Sequence, residues 1–132
     1  MIHLLDTNTF TAIVKGHPKA LAAFAKLDIK NIKLSAIHLG EIEYGLTLNP
    51  VGSLKLARIK ALLQDIEVLA LDTPSALIYG QIRTDLQKRG EPIGANDFWI
   101  AAHALSLGAT LVTNNVREFK RVKGLKVENW LI

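Results

Sequence analysis

The sequence predicts an α/β fold, a three-layer sandwich in which a central, mainly parallel sheet is flanked by helices. Short apolar runs alternate along the chain with segments of helical periodicity. The helical segments carry recognisable start and stop residues. A length of 132 residues fits one domain and its core, with no linker, repeat or low-complexity tract to divide it.

Ile2–Leu5 is a buried strand by composition, and Asp6-Thr7-Asn8 turns it into a first helix. Pro18 opens a second helix to about Lys26, at the first-turn position where proline is tolerated. Ile32–Ser35 reads as a strand, followed by a helix over Ala36–Leu46 that Asn49-Pro50 ends. Over Ser53–Ile66, Leu54, Ala57, Ile59, Leu62, Leu63 and Ile66 fall on one helical face. Val68–Leu71 is the next strand. Thr73 then caps a helix with Pro74 at its first position, in which Ile78, Ile82 and Leu86 recur every fourth residue until Gly90. Asn96 is expected to cap a helix from Asp97 to Leu107, closed by Gly108. Thr110–Thr113 is a strand, and after a short polar helix or turn a last strand lies near Lys126–Asn129.

Composition narrows the function. No cysteine is present, which excludes disulfides and thiolate chemistry. No apolar run reaches the ~18 residues of a membrane span, because His103, Ser106 and Gly108 interrupt the longest, Phe98–Val112. The opening MIHLLDTNTF lacks the pattern of a secretory signal, so a cytoplasmic location without membrane attachment is expected. The formal net charge of +4 suits nucleic acid or an acidic partner. The 49% hydrophobic content is high enough that some apolar surface is available for a partner. No phosphate-binding G-x-x-x-x-G-K-[ST] loop, G-x-S-x-G elbow around Ser35 or H-E-x-x-H spacing among the histidines occurs.

The acids carry more information. In parallel α/β sheets ligands bind beyond the carboxyl ends of the strands. Asp6 ends the first strand, Glu41 lies two turns into the helix after the second, Asp97 begins a later helix, and Asn114, Asn115 and Glu118 follow the fourth strand. Carboxylates gathered there would raise one another's pKa, and a divalent cation relieves the repulsion. Oxygen ligands suit Mg²⁺ or Mn²⁺, which can activate a water and neutralise a phosphate during in-line displacement. That chemistry is metal-assisted phosphodiester hydrolysis.

Four blocks of the chain resemble the PIN-domain family, in particular the VapC-type toxins of type II toxin–antitoxin systems. LLDTN resembles the first block, SAIHLGEIEYG the second, and GANDFWIAAHALSLGATLVTNNVREF the third and fourth; GQIRTDLQKRGEPIG resembles the stretch before the third. The resemblance covers most of the chain and implies an endoribonuclease that uses Mg²⁺ or Mn²⁺ to hydrolyse RNA, with tRNA a candidate substrate, and so inhibits translation and growth. It also implies a homodimer and a small VapB-like antitoxin whose C-terminal segment occupies a groove beside the active site. Carried over by residue, Asp6, Asp97 and Glu41 are the metal ligands and, with Glu118, the catalytic acids. Thr7, Asn8, Asn96, Thr113 and Asn115 are supporting residues. Two positions depart from the family pattern. Asn115 stands where many members have Asp, which leaves Glu118 to supply a fourth acid. His38 stands where Thr or Ser is common, and either contacts RNA or packs at the helix start.

Each residue also has a purely structural reading. Asp6 and Asp97 are good helix-start residues in any protein, and Glu41 could be a solvated helix residue. Glu43, two positions from Glu41, points elsewhere and is surface or interface. His103 reads as packed, Trp99 as core and Trp130 as covering an edge. Arg83, Lys88, Arg89, Arg117, Lys120 and Arg121 could hold an RNA backbone, or in the case of Arg83 the antitoxin, and otherwise are solvated surface. Two alternatives to the ribonuclease stay open: a catalytically weakened PIN-like interaction module, and a metal-dependent DNA nuclease. Metal binding separates the first from the enzyme, and competition between RNA and DNA separates the second.

Overall fold

Five strands, β1 (His3–Leu5), β2 (Ile32–Ser35), β3 (Glu67–Leu69), β4 (Thr110–Val112) and β5 (Lys126–Glu128), form one sheet in a computed structural model that describes residues 1–132. Their order is β3-β2-β1-β4-β5, and every neighbouring pair is parallel. The chain therefore starts at the centre of the sheet, builds outward through β2 and β3, and then crosses to the other side of β1. Parallel pairing places the carboxyl ends of all five strands along one edge, and the order reverses between β1 and β4.

Side chains alternate across each strand, which is how so short a sheet feeds two cores. Leu4 and Leu111 enter one core with Ile82, Leu86, Phe98 and Phe119. Leu5 and Val112 enter the other with Phe10, Ile32, Leu34 and Ile59. Seven helices cover these faces: α1 (Thr7–Val14), α2 (Pro18–Ala25), α3 (Ala36–Leu48), α4 (Ser53–Asp65), α5 (Thr73–Lys88), α6 (Ala95–Leu107) and α7 (Val116–Phe119). Helices α5 and α6 pack on the first core, α1, α2 and α4 on the second. This is the three-layer α/β arrangement read from the sequence. No helix is long and apolar enough to cross a membrane.

Several boundaries move. Helix α5 is capped by Asp72 rather than Thr73, because Asp72 has extended backbone and its Oδ1 accepts from both the amide and the hydroxyl of Ser75. Helix α6 starts at Ala95 with Gly94 as its cap residue, so Asn96 lies inside the first turn instead of capping it. β3 falls one to two residues earlier than expected, and a 3₁₀ turn at Ile29–Asn31 precedes β2. Gly108, at φ 62°, takes the left-handed turn that ends α6. Trp99 is half-buried and stacks on Tyr79 at 3.8 Å between ring centres, so it flanks the core rather than filling it. His103 and Trp130 are buried, as expected.

Candidate metal centre at the switch point of the sheet

The sheet edge where the strand order reverses is where α/β folds bind ligands, since neighbouring loops diverge there and leave a crevice. Asp6 follows β1 at this point. Its backbone amide still pairs with Val112 O at 2.8 Å, so the residue is tied to the end of β4 as well as β1. Asp6 also caps α1: its Oδ1 accepts the Thr7 amide at 2.8 Å. Thr113, just past β4 and fully buried, donates its hydroxyl to Asp6 Oδ2 at 2.7 Å and accepts from the Asn115 amide. His38 Nε2 lies 3.3 Å from Asp6 Oδ1, short of full hydrogen-bond geometry. Burial pushes the Asp6 carboxyl up, but His38, the Thr113 hydroxyl and the Thr7 amide together outweigh it and hold the group below its ordinary 3.8. Asp6 is thus built to stay ionised.

Glu41 is the second acid. It projects from α3 onto the start of α1, where Thr7 Oγ1 donates to its Oε1 at 2.9 Å. One side-chain atom from each of Asp6, His38 and Glu41 lies within 4.8 Å of the other two. Asp97 and Glu118 stand outside that closest group but within its field. Asp97, in the first turn of α6, has its carboxyl pushed up to about 6 by burial and then by the charges of Asp6, Glu118 and Glu41. Asn115 Nδ2 donates to Glu118 Oε2 at 3.1 Å, so the amide orients the neighbouring acid. The four acids expected from the sequence therefore converge.

Convergence of this kind is the test that a divalent cation passes. Two oxygen donors, Asp6 and Glu41, are oriented by hydroxyl and amide donors, and the carboxyl of a third acid, Asp97, is raised by burial and by the charges of its acidic neighbours. Hard oxygen ligands with unneutralised charge fit a divalent ion of the Mg²⁺ class. No lysine or arginine is paired with Asp6, Glu41, Asp97 or Glu118 to take that role instead.

The supporting residues divide. Thr7, Thr113 and Asn115 each hydrogen-bond one of the acids. Asn8 and Asn96 are exposed, and neither side chain hydrogen-bonds a protein group. His38 is fully buried, which removes it from contact with RNA and places it at the helix start. Gly94 was not singled out in the sequence, yet a Cβ there would sit 3.0 Å from Asp97 Oδ2. Its only sequence signal is its place ahead of the acid.

Among the basic residues, Arg89 pairs with Asp85 and Glu91 and donates to Arg121 O, while Arg121 donates to Pro92 O. Both brace the loop between α5 and α6. Arg83 lies over the Tyr79 and Phe98 rings. Lys88, Arg117 and Lys120 are exposed without an ion pair, and Arg117 adjoins Glu118. Beside the acids, an apolar groove of about 260 Å³ runs between α1, α3 and α4. Thr7, Glu41, Phe10, Val14, Leu46 and Ile59 are among the residues that line it.

The PIN domain family model matches residues 3–125. The chain is 37% identical over 132 residues to ribonuclease VapC2 of Rickettsia felis, covering 98% of both chains. This chain belongs to the PIN-domain family, among its VapC-type ribonucleases. Another such relative, the tRNA(fMet)-specific endonuclease VapC of Salmonella typhimurium, is 38% identical over 127 residues and 96% of each chain. Among solved structures, VapBC2 of Rickettsia felis bound to a promoter DNA fragment superposes with a TM-score of 0.88 at 36% identity, over 98% of this chain and 99% of that one. The chain and its α/β fold thus have counterparts over nearly their full length.

Proposed function

We propose that this chain is a divalent-metal-dependent endoribonuclease, the toxin of a toxin–antitoxin pair, that holds Mg²⁺ or Mn²⁺ with Asp6, Glu41 and Asp97. The observation that carries the metal site is geometric: one side-chain atom from each of Asp6, His38 and Glu41 lies within 4.8 Å of the other two. Beside them, the Asp97 carboxyl is pushed up to about 6 by burial first and then by the charges of Asp6, Glu118 and Glu41. A bound ion would supply Lewis-acid polarisation of the phosphate and a more acidic water. The chain's own residues do the rest. Thr113 and Thr7 fix the directions of Asp6 and Glu41. Glu118, steadied by Asn115, is the fourth acid and faces the same edge. Arg117 and Lys120, exposed and close in sequence to Glu118, are available to hold an RNA backbone.

RNA is favoured over DNA by membership among the VapC-type ribonucleases, and the Salmonella relative's name supports a tRNA substrate. The VapBC complex among the similar structures supports a VapB-like antitoxin as partner. We assign its C-terminal segment to the apolar groove that Thr7 and Glu41 help to line, where it would block the site. A homodimer would cover the outer face of α3 and the start of α4, where Tyr44, Leu48 and Leu54 are all at least 60% exposed. Residues 1–132 act as a single PIN domain in this reading, in the cytoplasm with the RNA.

The test is cleavage of a panel by antitoxin-free protein in Mg²⁺: total tRNA, messenger-like RNA and single-stranded DNA of matched length. Preferred cutting of tRNA, with no 2′,3′-cyclic phosphate on the products, is expected for attack by water. A cyclic phosphate would make the RNA's own 2′-hydroxyl the nucleophile and overturn the hydrolytic reading. Preference for DNA would favour the DNA nuclease, and no cleavage at all the interaction module.

A further inference from the structure

His38 lies beside Asp6 at the start of α3, and its surroundings define what the ring does. The side chain is completely buried at the third position of α3. Its Nδ1 lies 3.3 Å from the Ser35 amide, which can only donate, so Nδ1 accepts and carries no proton. The proton is therefore on Nε2, an assignment made from the hydrogen-bond partners. Nε2 makes no full hydrogen bond and lies 3.3 Å from Asp6 Oδ1. The ring is held from behind. Ser35 Oγ accepts the Ile37 amide and meets His103 Nδ1 at 2.8 Å, so α6 clamps the residue that clamps His38.

The Asp6 carboxylate can then be accounted for by lone pairs. Each oxygen offers about two. Oδ1 takes the Thr7 amide and faces His38 Nε2–H. Oδ2 takes the Thr113 hydroxyl proton, whose direction is fixed because Thr113 Oγ1 accepts from the Asn115 amide. A lone pair on Oδ2 is the uncommitted one.

We propose that His38 is a positioning residue of the metal site: its Nε2–H occupies Asp6 Oδ1 and leaves Oδ2 as the atom that Asp6 presents to a metal ion. This rests on the reading of Asp6 as a metal ligand. The closeness of Asp6, His38 and Glu41 would also suit a triad in which His38 itself binds the metal. The cap argues against that. Ligation through Nε2 would move the proton to Nδ1, where it would face the Ser35 N–H, donor against donor, in a fully buried place.

Two substitutions divide the two ends of the ring. His38→Asn keeps an acceptor where Nδ1 meets Ser35 but does not reach Asp6. His38→Gln keeps a donor where Nε2 meets Asp6 but loses the cap. Mn²⁺ affinity would be measured by calorimetry on the antitoxin-free full chain, and Tm in excess chelator. The expected result is that His38→Gln binds Mn²⁺ within about threefold of wild type while His38→Asn binds about tenfold or more weakly, the usual effect of removing a group that orients a ligand. The Tm order in chelator would be the reverse. Equal Mn²⁺ affinity for His38→Asn and wild type, or equal losses in both variants, would overturn the proposal. A measurement needing no variant is the ¹⁴N coupling of Mn²⁺ bound to wild type in pulsed electron paramagnetic resonance. Positioning predicts no directly bonded imidazole nitrogen, and its detection would make His38 a ligand and overturn the proposal. Asp6→Asn separates the two levels. If it binds Mn²⁺ like wild type, the metal-site reading has failed, whereas loss in Asp6→Asn with full binding in His38→Asn removes the role of His38 alone.

Discussion

Replacing Asp97 by Asn should make the metal-free protein more stable while removing its ability to use metal. In the absence of a cation, Asp97 is ionised at pH 7.5 against burial and against the charges of Asp6, Glu118 and Glu41, which together hold its carboxyl up to about 6 instead of 3.8. At about 1.4 kcal/mol per tenfold change in proton affinity, that rise corresponds to roughly 3 kcal/mol. The side chain is only half-buried, so solvent screening reduces the figure to about 1–2 kcal/mol. The sign follows from linkage. A carboxyl raised on folding contributes stability below its unfolded value of 3.8, and that contribution is lost as pH rises through about 6. Asparagine is neutral at all these values and escapes the loss. Urea unfolding in excess chelator at pH 7.5 should therefore show Asp97→Asn more stable than wild type by about 1–2 kcal/mol, or about 4–7 °C in Tm for a chain of this size. Saturating Mg²⁺ should reverse the order, since wild type gains about 2.7 kcal/mol at a hundred times its Kd and the variant gains little. Equal or lower stability of the variant in chelator at pH 7.5, with no change on lowering the pH to 5, would refute the claim that the acids repel one another in the empty cluster.

Mg²⁺ affinity should be flat above about pH 6 and fall by up to about tenfold per pH unit below it, as the proton on Asp97 competes with the ion; calorimetry from pH 5 to 8 measures this. Gly94→Ala places a Cβ 3.0 Å from Asp97 Oδ2, so the carboxylate must shift by a few tenths of an ångström, and Mg²⁺ affinity should drop while Tm in chelator changes little. Thr7→Val removes the donor to Glu41 Oε1 and should weaken Mg²⁺ binding by about tenfold, a loss that Thr7→Ser should restore.

The layers of the fold were legible because the strands are short, apolar and separated by segments with helical spacing and caps. Asp6, Glu41 and Asp97 were legible because strand ends and helix starts put them on one edge once the sheet is parallel. What escaped were choices among chemically similar neighbours. Asp72 and Thr73 can both cap a helix, and the backbone at Asp72 decided between them. Asn96 has the chemistry of a cap but lies one turn position too late, because the chain enters α6 at Gly94. The place of His38 could not be read at all. A histidine at a helix start is compatible with solvent or with burial, and only the packing of α3 against α6 through Ser35 and His103 turns its ring toward Asp6. Gly94 escaped for a similar reason, since the sequence gives its identity but not the carboxylate it makes room for.

The central claim is that RNA cleavage comes from the acid cluster acting with a divalent ion. The direct measurement is single-turnover cleavage of tRNA by the purified chain in Mg²⁺, in Mn²⁺ and in excess chelator, alongside folded Asp6→Asn and Asp97→Asn variants. Cleavage in either metal that stops in chelator, returns when metal is restored and is absent from both variants is the predicted result. Cleavage that persists in chelator, or that survives in both variants, would contradict the account.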